Sequence, residues 1–293
     1  MRRLAAPFLG TLAALLAAPG AQAQVPASIG PGAPVSARSL ALSAYRGLPP
    51  GNDAISYNPA ALASRRAFTI EAQYLFSRVG ADTDATFWGG SVVDSVTSSL
   101  AAGISYTYAN AGGYRTSGFG GSFDVAIAFP VLESLYLGGT FSYLDLSSSF
   151  DDVKAGNVNA GLFWSVAKIV SLGAVGYNLI YTGHDLITPR ALGAGVGVGD
   201  ERVIRLGADF YRAWYRDGAT HDVWSGGAEL FLFEMLALRG GWRYELPQRV
   251  QWWSVGAGFS AGGFGVDAAY RQAFGSSTYR VMAGTLKVAV PGM

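Results

Sequence analysis

The chain has 293 residues, half of them hydrophobic, with only 14% charged and a formal net charge of +1 at pH 7. So few charges would leave a soluble surface poorly solvated, and near-neutrality argues against nucleic acid as a partner. The absence of cysteine excludes disulfides and thiolate sites, whereas 40 Gly beside 16 Phe, 15 Tyr and 7 Trp points to a transmembrane β-barrel.

In chain order, residues 1–23 read as a secretory signal peptide. Arg2 and Arg3 form the positive start, Leu4 to Ala18 the apolar stretch, and Ala21-Gln22-Ala23 the small-residue cleavage site. Beyond it no apolar run is long enough for a membrane helix. Residues 24–45 are rich in Pro, Gly, Ala and Ser, and are expected to be extended or irregular. The stretch Asp53 to Arg65 differs from everything after it. Asn58 is expected to cap a short helix with its side chain. Pro59 fits the first helical position, and Ala60 to Ala63 continue it. Residues of about 46–65 are expected to form a plug inside the barrel, so 24–66 is assigned as extension and hatch.

From Phe68 the period becomes two, as in strands with one apolar and one small or polar face. Fourteen segments follow, at 67–77, 85–94, 99–109, 118–129, 134–145, 156–166, 169–181, 189–198, 202–212, 222–232, 235–245, 250–260, 263–273 and 278–290. Each approaches the roughly 9–11 residues that cross a bilayer as a tilted strand. Residues 67–293 are therefore read as an all-β, antiparallel transmembrane barrel whose first strand pairs with its last. Short connections such as 130–133 and 167–168 alternate with longer ones such as 146–155. That places both termini on the periplasmic rim.

The alternation puts Glu71, Asp124, Arg205, Asp209, Glu229, Arg239, Arg243, Asp267 and Arg271 on the inner faces. Arginine on the lipid face would cost roughly 2–4 kcal/mol at the bilayer midplane. Two readings of this interior stay open. The charges pair with one another and with the plug, with Arg65 and Arg66 as partners, or they line a passage for a polar or amphipathic solute. The first is preferred. Trp214, Tyr215, Trp242, Tyr244, Trp252 and Trp253 are read as an aromatic girdle. The run Gly193 to Gly199 lacks the Lys-Ser/Thr ending of a phosphate loop and is read as room for packing around the plug. His184 and His221 are the only histidines. Neither has a serine at catalytic spacing, so no enzyme activity, metal or other cofactor is expected.

At Asp53-Ala54, Tyr57 and Asn58-Pro59-Ala60-Ala61-Leu62-Ala63, the chain resembles the FadL-like superfamily of bacterial outer-membrane barrels, which includes the PorV/PorQ-type proteins. Ala37-Arg38-Ser39-Leu40-Ala41 is similar to the small-residue, Arg and Leu run that precedes the hatch there. The resemblance implies a fourteen-stranded barrel around an N-terminal hatch, embedded in outer-membrane lipids. In the transporter branch, small hydrophobic ligands pass through the barrel by movement of the hatch and a sideways opening. In the PorV-like branch, the barrel is a partner of a secretion apparatus, an anchor or scaffold for that apparatus or for a secreted, periplasmic or surface protein.

Overall fold

The computed structural model describes residues 36–48, 51–79, 83–113, 118–148, 152–184, 187–200, 202–276 and 278–291. The expected signal peptide and the first part of the 24–66 segment lie outside them. Fourteen strands form one closed antiparallel ring. They are β1 (Ala67–Val79), β2 (Thr83–Asp94), β3 (Ala101–Gly113), β4 (Gly118–Leu132), β5 (Leu135–Ser148), β6 (Asp152–Ala167) and β7 (Val170–Tyr177), followed by β8 (Arg190–Gly199), β9 (Ile204–Trp214), β10 (Thr220–Leu232), β11 (Leu236–Leu246), β12 (Val250–Ala261), β13 (Phe264–Ala273) and β14 (Tyr279–Pro291). Closure runs through β1 and β14, from Ala67 opposite Pro291 to Val79 opposite Tyr279. A closed ring leaves no edge strand, the condition for placing backbone polar groups in lipid.

The outward faces carry exposed apolar side chains, among them Ile70, Ile104, Phe123, Ile127, Leu206 and Leu286. In a soluble protein such a surface would be an aggregation hazard; in a bilayer it is the solvated face. Toward the rim of the long connections this face turns charged. Arg78 pairs with Asp84, Lys154 with Asp145, and Arg212 with Asp222 across neighbouring strands. Those pairs mark strand ends that rise beyond the apolar band.

This upward growth of the strands corrects the expected loop lengths. Residues 110–113, 146–148 and 152–155 are strand, not loop, because their two-residue alternation continues to the tips of the hairpins. The longest connection is instead 178–189. The expected strand 169–181 stops at Tyr177, where Asn178 takes φ +52° and leaves the ladder. β6 therefore pairs with β7 only from Ala160 onward. Above that point Asn157 donates to the Ile180 carbonyl (3.0 Å) and accepts from the Ile180 amide (3.1 Å), replacing ladder bonds with side-chain ones.

The described residues before β1, 36–48 and 51–66, are folded. They contain helix α1 (Ala37–Leu42), helix α2 (Ala54–Tyr57) and a 3₁₀ turn, Pro59–Ser64. Of residues 24–45, expected to be extended or irregular, 24–35 lie outside the described residues, while 37–42 instead form α1. Ser36 caps it by accepting from the Ser39 amide, and the Ser39 hydroxyl accepts from the Ser36 amide in return. A barrel of fourteen strands is too wide for wall side chains alone to fill. Here the buried Leu40, Leu42, Leu48, Ile55 and Leu62 all belong to this N-terminal segment. Ile55 and Leu62 share a core with Ala126, Ala128 and Phe163 of the wall.

Candidate functional site

The candidate site is the junction between the N-terminal segment and the inner faces of the strands. Almost every strand contributes a side chain to it, because alternation sends every second residue inward. The Thr285 hydroxyl of β14 accepts from the Ala37 amide at 2.9 Å. Arg271 of β13 donates to the Leu40 carbonyl at 2.8 Å and to the Ser43 hydroxyl at 3.0 Å, at the C-terminal end of α1. That end carries unpaired carbonyls and partial negative charge, so a cation is stabilised there. Ser254 of β12 donates to the Ala41 carbonyl at 2.8 Å and lies 3.1 Å from the Ser43 hydroxyl. On the opposite wall Thr140 of β5 donates to the Ile55 carbonyl at 2.6 Å, and Ser171 of β7 to the Gly47 carbonyl at 2.5 Å.

Two buried ionic clusters lie among these bonds. In the first, Glu229 of β10 is fully buried. It receives Arg38 from α1 at 3.2 Å, Arg205 from β9 at 2.9 Å and Arg239 from β11 at 2.7 Å. Arg239 also binds Asp267 of β13. In the second, a single oxygen of Asp209, on β9, accepts from the amides of Tyr45 (2.8 Å) and Arg46 (3.0 Å) and from the Arg46 guanidinium (3.3 Å). The Arg46 Nε donates to the Tyr177 hydroxyl at 2.8 Å, which in turn donates to the Tyr57 carbonyl at 2.6 Å. Burial by itself would lower the pKa of Arg46; Tyr177, Tyr45 and Asp209 outweigh it and hold the guanidinium protonated, above its ordinary value.

Glycines let the segment approach. A Cβ on Gly47 would come within 2.5 Å of the Gly195 and Val196 backbone, and one on Gly138 within 2.5 Å of the Ala60 amide nitrogen. The Gly193–Gly199 run thus receives Gly47 and Arg46 directly, the close backbone approach for which glycine is suited.

The remaining residues singled out in the sequence take the following places. Glu71 and Asp124 are buried on inner faces; Asp124 accepts from Ser105 at 3.1 Å and from Ser122 at 3.4 Å. Arg243 binds Glu245 at 2.6 Å. Asn58 does not cap the turn that begins at Pro59. No side-chain cap bond forms, and its amide donates instead to the carbonyls of Leu162 (3.1 Å) and Arg46 (3.3 Å). Tertiary acceptors win over the local one, and the turn closes through the Asn58 backbone carbonyl to Ala61. Pro59 and Ala60 are buried against β5 and β6. Arg65 and Arg66 are not the lumen's counter-charges. Both are exposed, and Arg66 donates to the carbonyls of Val96 and Ser98 at the rim. Arg38 and Arg46 take that role, and the only signal for them was a cation in a segment otherwise small and apolar.

Two of the expected girdle aromatics face inward. Trp252 stands opposite Arg243, on the inner face, and Tyr215 packs beside the cluster of Tyr177 and Tyr211. Trp214 and Trp242 face out and are exposed. A cavity of about 10 Å³, lined by Arg38, Tyr45, Asp53, Tyr57 and Asn58 among others, has room for one water molecule.

A closed fourteen-stranded barrel holding a folded N-terminal segment in its interior defines a class of transmembrane proteins. Within it, this chain has the FadL-like fold. It is similar to the CymD monoaromatic hydrocarbon channel, with a TM-score of 0.70 and 11% identity over 88% of this chain and 97% of that one. It is similar also to the Ralstonia pickettii toluene transporter TbuX, at 0.66 and 13% over 89% and 98%. A Pseudomonas aeruginosa FadL homologue gives 0.64 and 13% over 88% and 98%. No protein-family model and no curated protein sequence matches the chain.

Proposed function

We propose that the chain is a bacterial outer-membrane barrel that admits small hydrophobic compounds past a hatch formed by residues 36–65. Residues 1–23 direct export and are removed, residues 24–66 hold the hatch, and residues 67–293 form the wall. The observation that carries this reading is the manner in which the segment is attached. Among the described residues it is held by side-chain bonds from the wall, such as Arg271 to Leu40 and Thr140 to Ile55, and not by strand pairing. Such bonds can exchange for water or solute while the ladder stays whole, so the segment can move and the barrel remain closed on itself. The similarity to hydrocarbon channels and toluene transporters supports a hydrophobic solute.

A reversible lock tests it. The Ser43 and Ser254 hydroxyl oxygens lie 3.1 Å apart, so cysteines at these two positions would bring their sulfurs close together across the junction of segment and wall. The chain has no cysteine of its own. Ser43→Cys with Ser254→Cys should take up a labelled monoaromatic hydrocarbon several-fold more slowly when oxidised, with recovery on reduction. Equal uptake in both states, with the disulfide verified, sinks the hatch reading. The second reading is a barrel that anchors a secreted or periplasmic protein. The short outer connections favour it. Uptake no greater than that of cells lacking the protein, in either redox state, supports it.

A further inference from the structure

Arg46 sits in a setting built for a cation and supplied largely by the wall. Its guanidinium lies over the rings of Tyr45 at 5.3 Å, Tyr177 at 5.5 Å and Tyr211 at 5.2 Å. Asp209 closes the site with a carboxylate. Ring faces attract cations through their quadrupole, and the attraction grows when water is excluded. Arg46, Tyr177, Asp209 and Tyr211 are all more than nine-tenths buried. The floor is Gly193 and Gly195; a Cβ on Gly193 would come within 2.7 Å of the Arg46 Cδ, and one on Gly195 within 3.1 Å of its Cβ.

The fit of Arg46 is incomplete. A guanidinium and a carboxylate frequently pair through two parallel bonds. Here one oxygen, Asp209 Oδ2, takes all three donors, while Asp209 Oδ1 and Arg46 Nη2 are buried without a hydrogen-bond partner. Without the segment, Arg46 and Tyr45 would leave together, and the wall would keep two tyrosine rings and an unpaired carboxylate. With the segment in place and Arg46 truncated, Asp209 keeps the two backbone amides but loses the guanidinium, which is unfavourable for a buried anion. On one side Tyr177 and Tyr211 pack in the same buried cluster as Val175, Ala191, Ala213 and Val223, so the neighbours of the cage there are apolar.

We infer that Tyr177, Tyr211 and Asp209 form a ligand site for a guanidinium or primary ammonium group carrying a short apolar tail, and that Arg46 is its resident competitor. The inference deepens the transport reading by naming a class of amphipathic solute, and it is tested by binding, not by uptake. The probe is butylguanidinium, titrated against the thermal unfolding of the folded barrel in detergent, with butanol and sodium chloride as controls. Arg46→Ala should show a saturable rise in midpoint. The effect should vanish in Arg46→Ala with Asp209→Asn and persist in Arg46→Ala with Asp267→Asn. The wild-type chain should bind about tenfold or more weakly, because its own arginine occupies the site most of the time. If Arg46→Ala does not fold, Arg46→Gln takes its place. Equal affinity in wild type and variant, or a response that survives Asp209→Asn, overturns the inference. Failure of the disulfide lock to alter uptake would sink the hatch reading and leave this site standing.

Discussion

Replacing Glu229 with glutamine tests whether the first ionic cluster holds the interior together. The carboxylate is fully buried and receives four guanidinium hydrogen bonds, two from Arg38 and one each from Arg205 and Arg239. Glutamine is the same size, so no cavity forms. It keeps one acceptor oxygen and turns an NH₂ group toward guanidiniums that also only donate. About two bonds are lost, each worth roughly 1.5–3 kcal/mol when a charged group takes part. Arg239 keeps its bond to Asp267, whereas Arg38 and Arg205 face a neutral amide in place of the Glu229 carboxylate. Removal of one partner from a buried ion pair costs roughly 3–5 kcal/mol, which agrees with the bond count. Glu229→Gln should therefore destabilise the barrel by about 3–5 kcal/mol. The measurement is a urea titration of protein refolded into lipid vesicles, followed by tryptophan fluorescence and by the faster migration of the unheated barrel on a gel. Because Arg38 comes from the segment and the other two arginines from the wall, Arg38→Ala combined with Glu229→Gln should fall short of additivity. A loss below about 1 kcal/mol for Glu229→Gln would refute the reasoning. It would mean that water enters the cluster and screens it.

Other perturbations follow from the same geometry. Gly138→Ala forces a methyl against the Pro59–Ala60 backbone, which has no flexible end to yield, and should cost roughly 1–3 kcal/mol. Gly284→Ala, where a Cβ meets nothing within 4 Å, is the neutral control; equal urea midpoints for the two would refute the close-approach argument. Chymotrypsin added to intact cells should cut after Tyr181, half-exposed in the 178–189 connection, and should spare the 146–155 hairpin, which is mostly strand. Cleavage at the turn between β4 and β5 would reverse the orientation.

A strand carries its own record of which side faces the interior, because successive side chains point to opposite faces and arginine or glutamate is costly in lipid. That is why the strand count and the inward face of residues such as Arg205, Glu229 and Arg271 follow from local alternation, whereas the closure of β1 on β14 follows from the need to leave no unpaired edge in lipid. The same local signal runs on past the lipid boundary, so it does not say where a strand stops being membrane and becomes hairpin tip. It also cannot see the left-handed turn at Asn178 that ends β7 early. Choice of partner lies further from reach. Asn58 has the sequence of a cap, yet its amide goes to the Leu162 carbonyl, 104 residues away, because the ring of strands brings that acceptor within 3.1 Å. Position after the expected hatch helix points to Arg65 and Arg66 as counter-charges, not to Arg38. Only the path of the segment through the lumen sets Arg38 beside Glu229 and leaves Arg65 exposed at the rim. The amino-acid sequence by itself determined a barrel with charged inner faces and a non-strand segment before it, since those depend on neighbours along the chain. Which charge meets which, and the three tyrosines around Arg46, depend on contacts between residues far apart in sequence, and only the closed tertiary structure decided them.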